Sequence, residues 1–253
     1  MPGSKLEVIC WSAPTVGENL AMEDTLARAA WQSGRRVLRF WWGGPPAVVM
    51  GSSERPDQVV DEAACARLGV DVLKRSTGGG TVLQTSGVLN YSLVAPAPTR
   101  RDLKGTFRLG TDLICAILDS FGFAGTTEGT SDVAIGSRKI SGNAQAWRWK
   151  ALLVHGTLLV DFDHALAEAV LKHPPREPQY RWGRSHRDFL VTLRSLGLDV
   201  DRPAIERAAL DAARQVFRRV EVTEDESLRM DTCICGGGAW ATAPSASPAV
   251  VIR

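Results

Sequence analysis

Between residues 132 and 161 the chain passes through four β-rich segments with no helical stretch among them. Residues 132–135, 138–140, 144–149 and 152–161 are separated by Gly136, Gly142 and a polar break. Short apolar runs punctuated in this way predict consecutive antiparallel strands joined by tight turns. A doubly wound parallel sheet is thereby disfavoured, because its strands alternate with crossover helices. Both flanks mix helix and strand, so the expected class is α+β, with mixed or antiparallel sheets packed against helices.

On the N-terminal side, residues 5–11 alternate like a short strand. Leu20, Met22, Leu26, Ala29 and Ala30 fall at helical spacing over 18–33, and Gly34 is a natural stop. Strands are expected at 36–42, 47–50, 70–73 and 88–94, with a turn at 43–46 and a helix over 57–68. Further helices are expected at 108–121, 165–171, 186–196 and 203–216, the last with Pro203 in its first turn. A final strand is read at 217–222. The 253 residues allow one large domain or one with an appendage. Residues 1–222 read as that domain, and the Gly-, Ala-, Ser- and Pro-rich stretch 223–253 as a flexible tail.

Charge and cysteine usage narrow the function classes. Thirty basic and 28 acidic residues give a net +2, which offers no electrostatic case for nucleic acid as the partner. No apolar run reaches the roughly 18 residues of a membrane span, and no signal-peptide core is visible. Five scattered cysteines point to reduced thiols in a cytoplasmic protein. Cys233 and Cys235 lack the second pair that a structural metal needs, so no metal site is expected.

Three segments carry chemistry. The first is 74–83, Lys-Arg-Ser-Thr-Gly-Gly-Gly-Thr-Val-Leu. Successive glycines let a ligand lie against the backbone, their N–H groups can form an anion nest, and Arg75 adds a fork suited to phosphate. An ordinary flexible hairpin loop is the plainer alternative. The P-loop pattern is absent, and no helix follows as in a dinucleotide fingerprint. The second is 132–145, where glycines bracket a strand bearing Lys139. A strand lysine in an apolar core needs a partner or an anionic ligand, and Asp132 is available; an exposed edge lysine is the other reading. The third is His155-Gly156-Thr157, a strand histidine beside a glycine that permits close approach, or simply a structural histidine.

In this order and spacing, across about 80 residues, the three segments resemble the lipoate–protein ligase family within the biotin/lipoate ligase superfamily. The matching residues are Lys74-Arg75-x-x-Gly78-Gly79-Gly80-x-Val82, Ser131-Asp132, Lys139-Ile-Ser-Gly142-Asn-Ala144 and His155-Gly156-Thr157. Weaker similarity runs from Gly17 to the region of His186. The resemblance implies an ATP-dependent enzyme that makes lipoyl- or octanoyl-adenylate, with Mg2+ arriving with ATP. The acyl group would pass to a lysine of a lipoyl-acceptor domain, of the dehydrogenase-complex E2 or glycine-cleavage H type. It further implies that Arg75, Gly78, Gly79, Gly80, Thr81, Val82 and Leu83 hold the adenylate and acyl carboxyl. Lys139 would be catalytic, touching carbonyl and phosphate. Asp132, Gly142, Ala144, His155, Gly156 and Thr157 would line the pocket.

Four positions depart from the family pattern: Lys74 replaces an arginine, Gln84-Thr85 stand where many members have His-Asp, and Ser131 replaces an asparagine. Octanoyltransferases of the same superfamily carry the acyl group on a cysteine ahead of the Lys-Ile segment or downstream of His-Gly. Here 125–132 holds no cysteine, and the nearest downstream one is Cys233. A biotin ligase would need a Gly-Arg-Gly-Arg-type loop. A non-catalytic lipoate or adenylate binder is the remaining alternative from a different class. About 30 residues after 222 are too few for the family's C-terminal accessory domain, so any accessory function would come from a separate protein.

Overall fold

In the computed structural model the described residues are 5–217 and, for the backbone, 221–224. An eight-stranded mixed sheet runs in the order β11-β1-β2-β6-β10-β9-β8-β7. Its strands are β1 (Lys5–Cys10), β2 (Arg36–Trp42), β6 (Val88–Pro96), β7 (Thr126–Glu128), β8 (Asp132–Ile135), β9 (Arg138–Arg148), β10 (Ala151–Leu159) and β11 (Glu221–Glu224). β1 pairs in parallel with β2 and β11, and the pairs from β2 to β7 are antiparallel. A second sheet, β4-β3-β5, is built from β3 (Ala47–Met50), β4 (Asp71–Lys74) and β5 (Val82–Gln84). The α+β expectation with mixed sheets therefore holds.

Strand periodicity of two decides which face becomes the site. Leu38, Phe40 and Trp42 of β2, Leu89, Tyr91 and Leu93 of β6, and Leu152, Val154 and Leu158 of β10 enter the main core. There they meet α4 (Leu103–Ser120) and α7 (Arg202–Val216). The intervening residues face the other way, toward α1 (Val16–Ser33). At the β1 and hairpin ends that face is apolar, with Val37, Val94, Ala151 and Leu153 against Leu26, Ala27 and Ala30. At its centre it is polar: Arg39, Ser92 and His155 form one rung across β2, β6 and β10, with Ala144 of β9 at its end.

α1 is fixed over this rung by local chemistry. Thr15 caps it in a reciprocal box with Glu18, and Gly34 ends it at φ 70°. The small sheet packs on the same helix through Val49 and Leu73, against Val16, Leu20 and Trp41. Its other face meets α3 (Glu62–Leu68) and α5 (His164–Val170).

Several sequence expectations shift. The predicted helix 57–68 is two, α2 (Pro56–Val59) and α3, because Val60 leaves the helix to bridge Leu171 and Asp61 starts the next as its N-cap. The strands expected at 138–140 and 144–149 are one continuous β9, running through Gly142. The helix expected at 186–196 stops at α6 (His186–Phe189), since Leu190 turns extended to pair with Lys139; a 3₁₀ turn at Arg194–Leu196 follows. α4 starts at Leu103, five residues earlier than expected, capped by Asp102. β7 was not expected. The last strand is Glu221–Glu224 rather than 217–222, so Thr223 and Glu224 belong to the sheet and the remainder of the expected tail lies outside the described residues.

Candidate active site

The segment 75–81 links β4 to β5 and carries the three glycines. Arg75 continues the sheet, its N–H donating to Met50 O at 3.0 Å. Its guanidinium then turns back into the loop. Nη2 donates to Gly78 O (2.7 Å) and Gly80 O (2.9 Å), Nη1 to Val49 O (3.2 Å), and Nε to Thr77 Oγ1 (3.0 Å). The fork expected to grip phosphate is thus spent on backbone carbonyls, and it sets the path of the loop. Burial brings its pKa down to about 10, against the pull of Glu54 and Glu23, so it stays charged at neutral pH. Gly79 takes φ 90°, and a Cβ at Gly51 would lie 1.9 Å from its carbonyl oxygen. The N–H groups of Gly78, Gly79 and Gly80 make no hydrogen bond among the described residues.

Thr77 connects the loop to the large sheet. Its Oγ1 lies 2.7 Å from His155 Nε2, and His155 Nδ1 lies 2.6 Å from Glu23 Oε2. Glu23, dropped from α1 and 2% exposed, also accepts from Ser92 Oγ at 2.5 Å and from Trp41 Nε1 at 3.2 Å. A carboxylate can only accept, so Nδ1 of the His155 ring carries a proton. Burial alone would raise the Glu23 pKa. The charge and hydrogen bond of His155, the Ser92 hydroxyl and the Arg39 guanidinium outweigh it and hold the carboxyl below its ordinary 4.5.

Facing the loop, Lys139 Nζ donates to Asp132 Oδ1 at 2.8 Å. Tyr180 donates its hydroxyl to Asp132 Oδ2 at 2.9 Å, and burial raises its pKa, which keeps it a donor. Both lysine and aspartate are mostly shielded, at 24% and 11% side-chain exposure, so the pair is worth more than a surface one. Gly142 stands opposite Asp132 across β8 and β9, and a Cβ there would lie 2.8 Å from Lys139 Nζ. Gly142→Ala is expected to leave the fold within about 1 kcal/mol, since the lysine tip can swing away. Adenylate formation should nonetheless fall by about 10- to 100-fold, because the ammonium is misplaced. Thermal melting and pyrophosphate exchange measured on one preparation check both halves.

Arg75, Asp132, Lys139, Gly142 and His155 line one cavity of about 340 Å3, within the usual range for small-ligand sites; Glu23, Thr77 and Tyr180 hold them from behind. Of the residues predicted for the site, all but Gly78 line it; Gly78 contributes its carbonyl to Arg75 instead. Its far wall comes from the segment 172–190, which sequence reasoning passed over. There Arg181 is 5% exposed, and its Nη2 has no hydrogen-bond partner among the described residues. His186 lies on the same wall, its pKa brought down to about 4 by burial and by Arg181. Glu23, Thr77 and Tyr180 were also missed. Gln84, at a position that departs from the family pattern, pairs its side-chain amide with Asn90 at 2.7 and 3.1 Å.

The model of the lipoyl protein ligase A/B catalytic domain family matches residues 15–214, which include every group named above. The chain belongs to that family. Thermoplasma acidophilum lipoate-protein ligase A subunit 1 is 27% identical over 221 residues, 82% of this chain and 84% of that one. A protein of Aeropyrum pernix is 32% identical over 145 residues, 57% of this chain, and the match spans about half (54%) of its length. The octanoyltransferase LipM of Carboxydothermus hydrogenoformans is 30% identical over 185 residues, 65% of this chain and 68% of that one. Among solved structures, the bipartite lipoate protein ligase of T. acidophilum, described with its E2 lipoyl domain, superposes with a TM-score of 0.74. It is 25% identical, and the match covers 88% of this chain and 90% of that one. This lipoyl ligase A/B catalytic domain has, among its described residues, no helix long and apolar enough to cross a membrane.

Proposed function

We propose that this domain activates lipoate or octanoate with ATP as an acyl-adenylate and transfers the acyl group to a lysine of a lipoyl-acceptor domain. The observation that carries the reading is the Lys139–Asp132 pair facing the glycine loop across a cavity with no cysteine in its lining among the described residues. In the first step an acid oxygen attacks the α-phosphorus and pyrophosphate leaves. The charge gathering on the phosphate meets donors already in place: the unengaged loop N–H groups, Lys139, and the unpartnered Nη2 of Arg181. In the second step the acceptor amine attacks the mixed-anhydride carbonyl, Lys139 polarises it, and AMP departs. Arg75 acts in this scheme by holding the loop, a revision of the phosphate contact that the resemblance implied. The catalytic domain is read as one unit ending near 222–224.

Magnesium fits as a companion of the nucleotide. Asp132 is the one carboxylate among the described lining residues, and no cluster of three metal-ligating side chains occurs among the described residues. Mg2+ bound through phosphates and water needs no more than that.

The LipM relative keeps a second reading in view, acyl transfer through a cysteine without ATP. Against it, burial raises the Cys115 thiol to about 11 and also raises Cys65, which suppresses thiolate in both. Cys233 and Cys235 lie outside the described residues. The test is pyrophosphate exchange with lipoate, octanoate and biotin compared. Exchange is expected with the first two; octanoyl transfer from its carrier protein without ATP would sink the ligase assignment. Tight binding of lipoyl-AMP with no turnover on any acceptor would favour a mere binder. A separate accessory protein is part of the proposal, supported by the bipartite T. acidophilum system. Complete ligation by the isolated chain would remove it.

A further inference from the structure

The β9–β10 hairpin ends in a two-residue turn, since Arg148 pairs with Ala151. Such turns need φ above zero at both central residues and favour Asn-Gly. Here Trp149 and Lys150 occupy them, at φ 53° and 57°. Side chains this large in the left-handed region are strained, and such strain persists where the surroundings impose it.

The surroundings are cationic. Arg28 of α1 lies 4.1 Å from the Trp149 ring and Arg148 4.9 Å, while Lys150 lies 5.0 Å from the ring of Trp31. Arg28, Arg148 and Lys150 are exposed, as is Trp31 at 48%. None of the three cations is within ion-pair distance of a carboxylate among the described residues. The acid facing Arg28 and Arg148 is Asp24, whose carboxyl pKa is held above its ordinary value by burial. The tip is also tied to the site, because Arg148 Nη1 donates to Ser76 O at 3.4 Å, two residues before the glycines.

We infer that this tip is the docking knob for the acceptor domain, which it recognises through carboxylates near the target lysine. The inference rests on the ligase reading above. Two guanidinium groups already cover Trp149, so the ring offers no free platform for a nucleic-acid base. What remains is a fixed set of positive charges beside the loop that would hold the adenylate. A partner with a negative face seated there delivers its lysine to the rim of the cavity, and charge complementarity sets register and on-rate.

The experiment uses an E2 lipoyl domain as acceptor and the full chain carrying Arg28→Glu with Lys150→Glu. Pyrophosphate exchange should match the parent protein. The KM for the lipoyl domain should rise by about tenfold or more, and its dependence on salt should weaken. Lys150→Gly is a second variant: glycine suits the turn, so the melting temperature should rise while the KM for the lipoyl domain still increases. An unchanged KM with normal exchange overturns the docking knob and leaves the ligase reading intact. If the parent protein makes no adenylate, the ligase reading fails by itself, and calorimetric binding of the lipoyl domain to parent and variant still decides docking. Charge-dependent retention of a single-stranded RNA, with lipoyl-domain binding unaltered, would also overturn it.

Discussion

Lys139→Ala eliminates adenylate formation, with pyrophosphate exchange expected to fall by about a thousandfold or more, the scale on which removing a preorganised transition-state donor acts. The substitution removes the ammonium that faces the loop but leaves Asp132 its hydrogen bond from Tyr180. The chain should therefore fold and still bind. Circular dichroism and a melting curve establish the first point, and titration with lipoate the second. Exchange at the parent rate in a folded variant would contradict the role given to Lys139.

Glu23→Ala should have the largest effect on stability. It strands the Nδ1–H of His155 and the hydroxyl of Ser92, leaves the indole N–H of Trp41 only its bond to Ser92 Oγ, and removes the charge opposite buried Arg39. Breaking a buried charged pair on one side costs about 3–5 kcal/mol, and the polar groups left behind add to it. Urea denaturation at pH 7 measures the loss. The sign with pH follows from the lowered carboxyl. The native state gives up this proton more readily than the unfolded chain, so the contribution is complete above about 4.5 and is lost as pH falls through the lower native value. Glu23→Gln should therefore cost more at pH 7 than at pH 3. An equal cost at both would show that Glu23 is not ionised in the folded protein.

The sequence made the chemistry visible wherever residue type and local order were enough. The glycine triplet, the lysine strand and the His-Gly-Thr segment each sit on a strand or turn, and the period of two turned them toward one cavity. Contacts set by tertiary pairing were hidden. Glu23 looked like one more polar residue on an amphipathic helix, because its partners His155 and Ser92 lie 132 and 69 positions away. Tyr180 sits in a segment without periodicity, held by its contacts to Asp132 and Phe189. Helix ends at 59 and 189 were missed because strand-like bridges, Val60 with Leu171 and Lys139 with Leu190, overrode local helix preference. Arg75 was identified, but nothing local says whether a guanidinium aims at a ligand or at its own loop.

That last arrangement makes tolerance to change uneven within the glycine triplet. Arg75 grips carbonyl oxygens, which every residue type possesses, so it follows the course of the chain without regard to what is attached to it. Added methyl groups at Gly78 and Gly80 would meet open space, whereas the middle position is committed by its left-handed backbone and by the contact of its carbonyl with Gly51. Folding therefore demands one glycine of the three. The outer two carry no such backbone requirement, so a library varied at 78 and 80, scored for folding and for adenylate formation separately, shows whether their bareness serves binding.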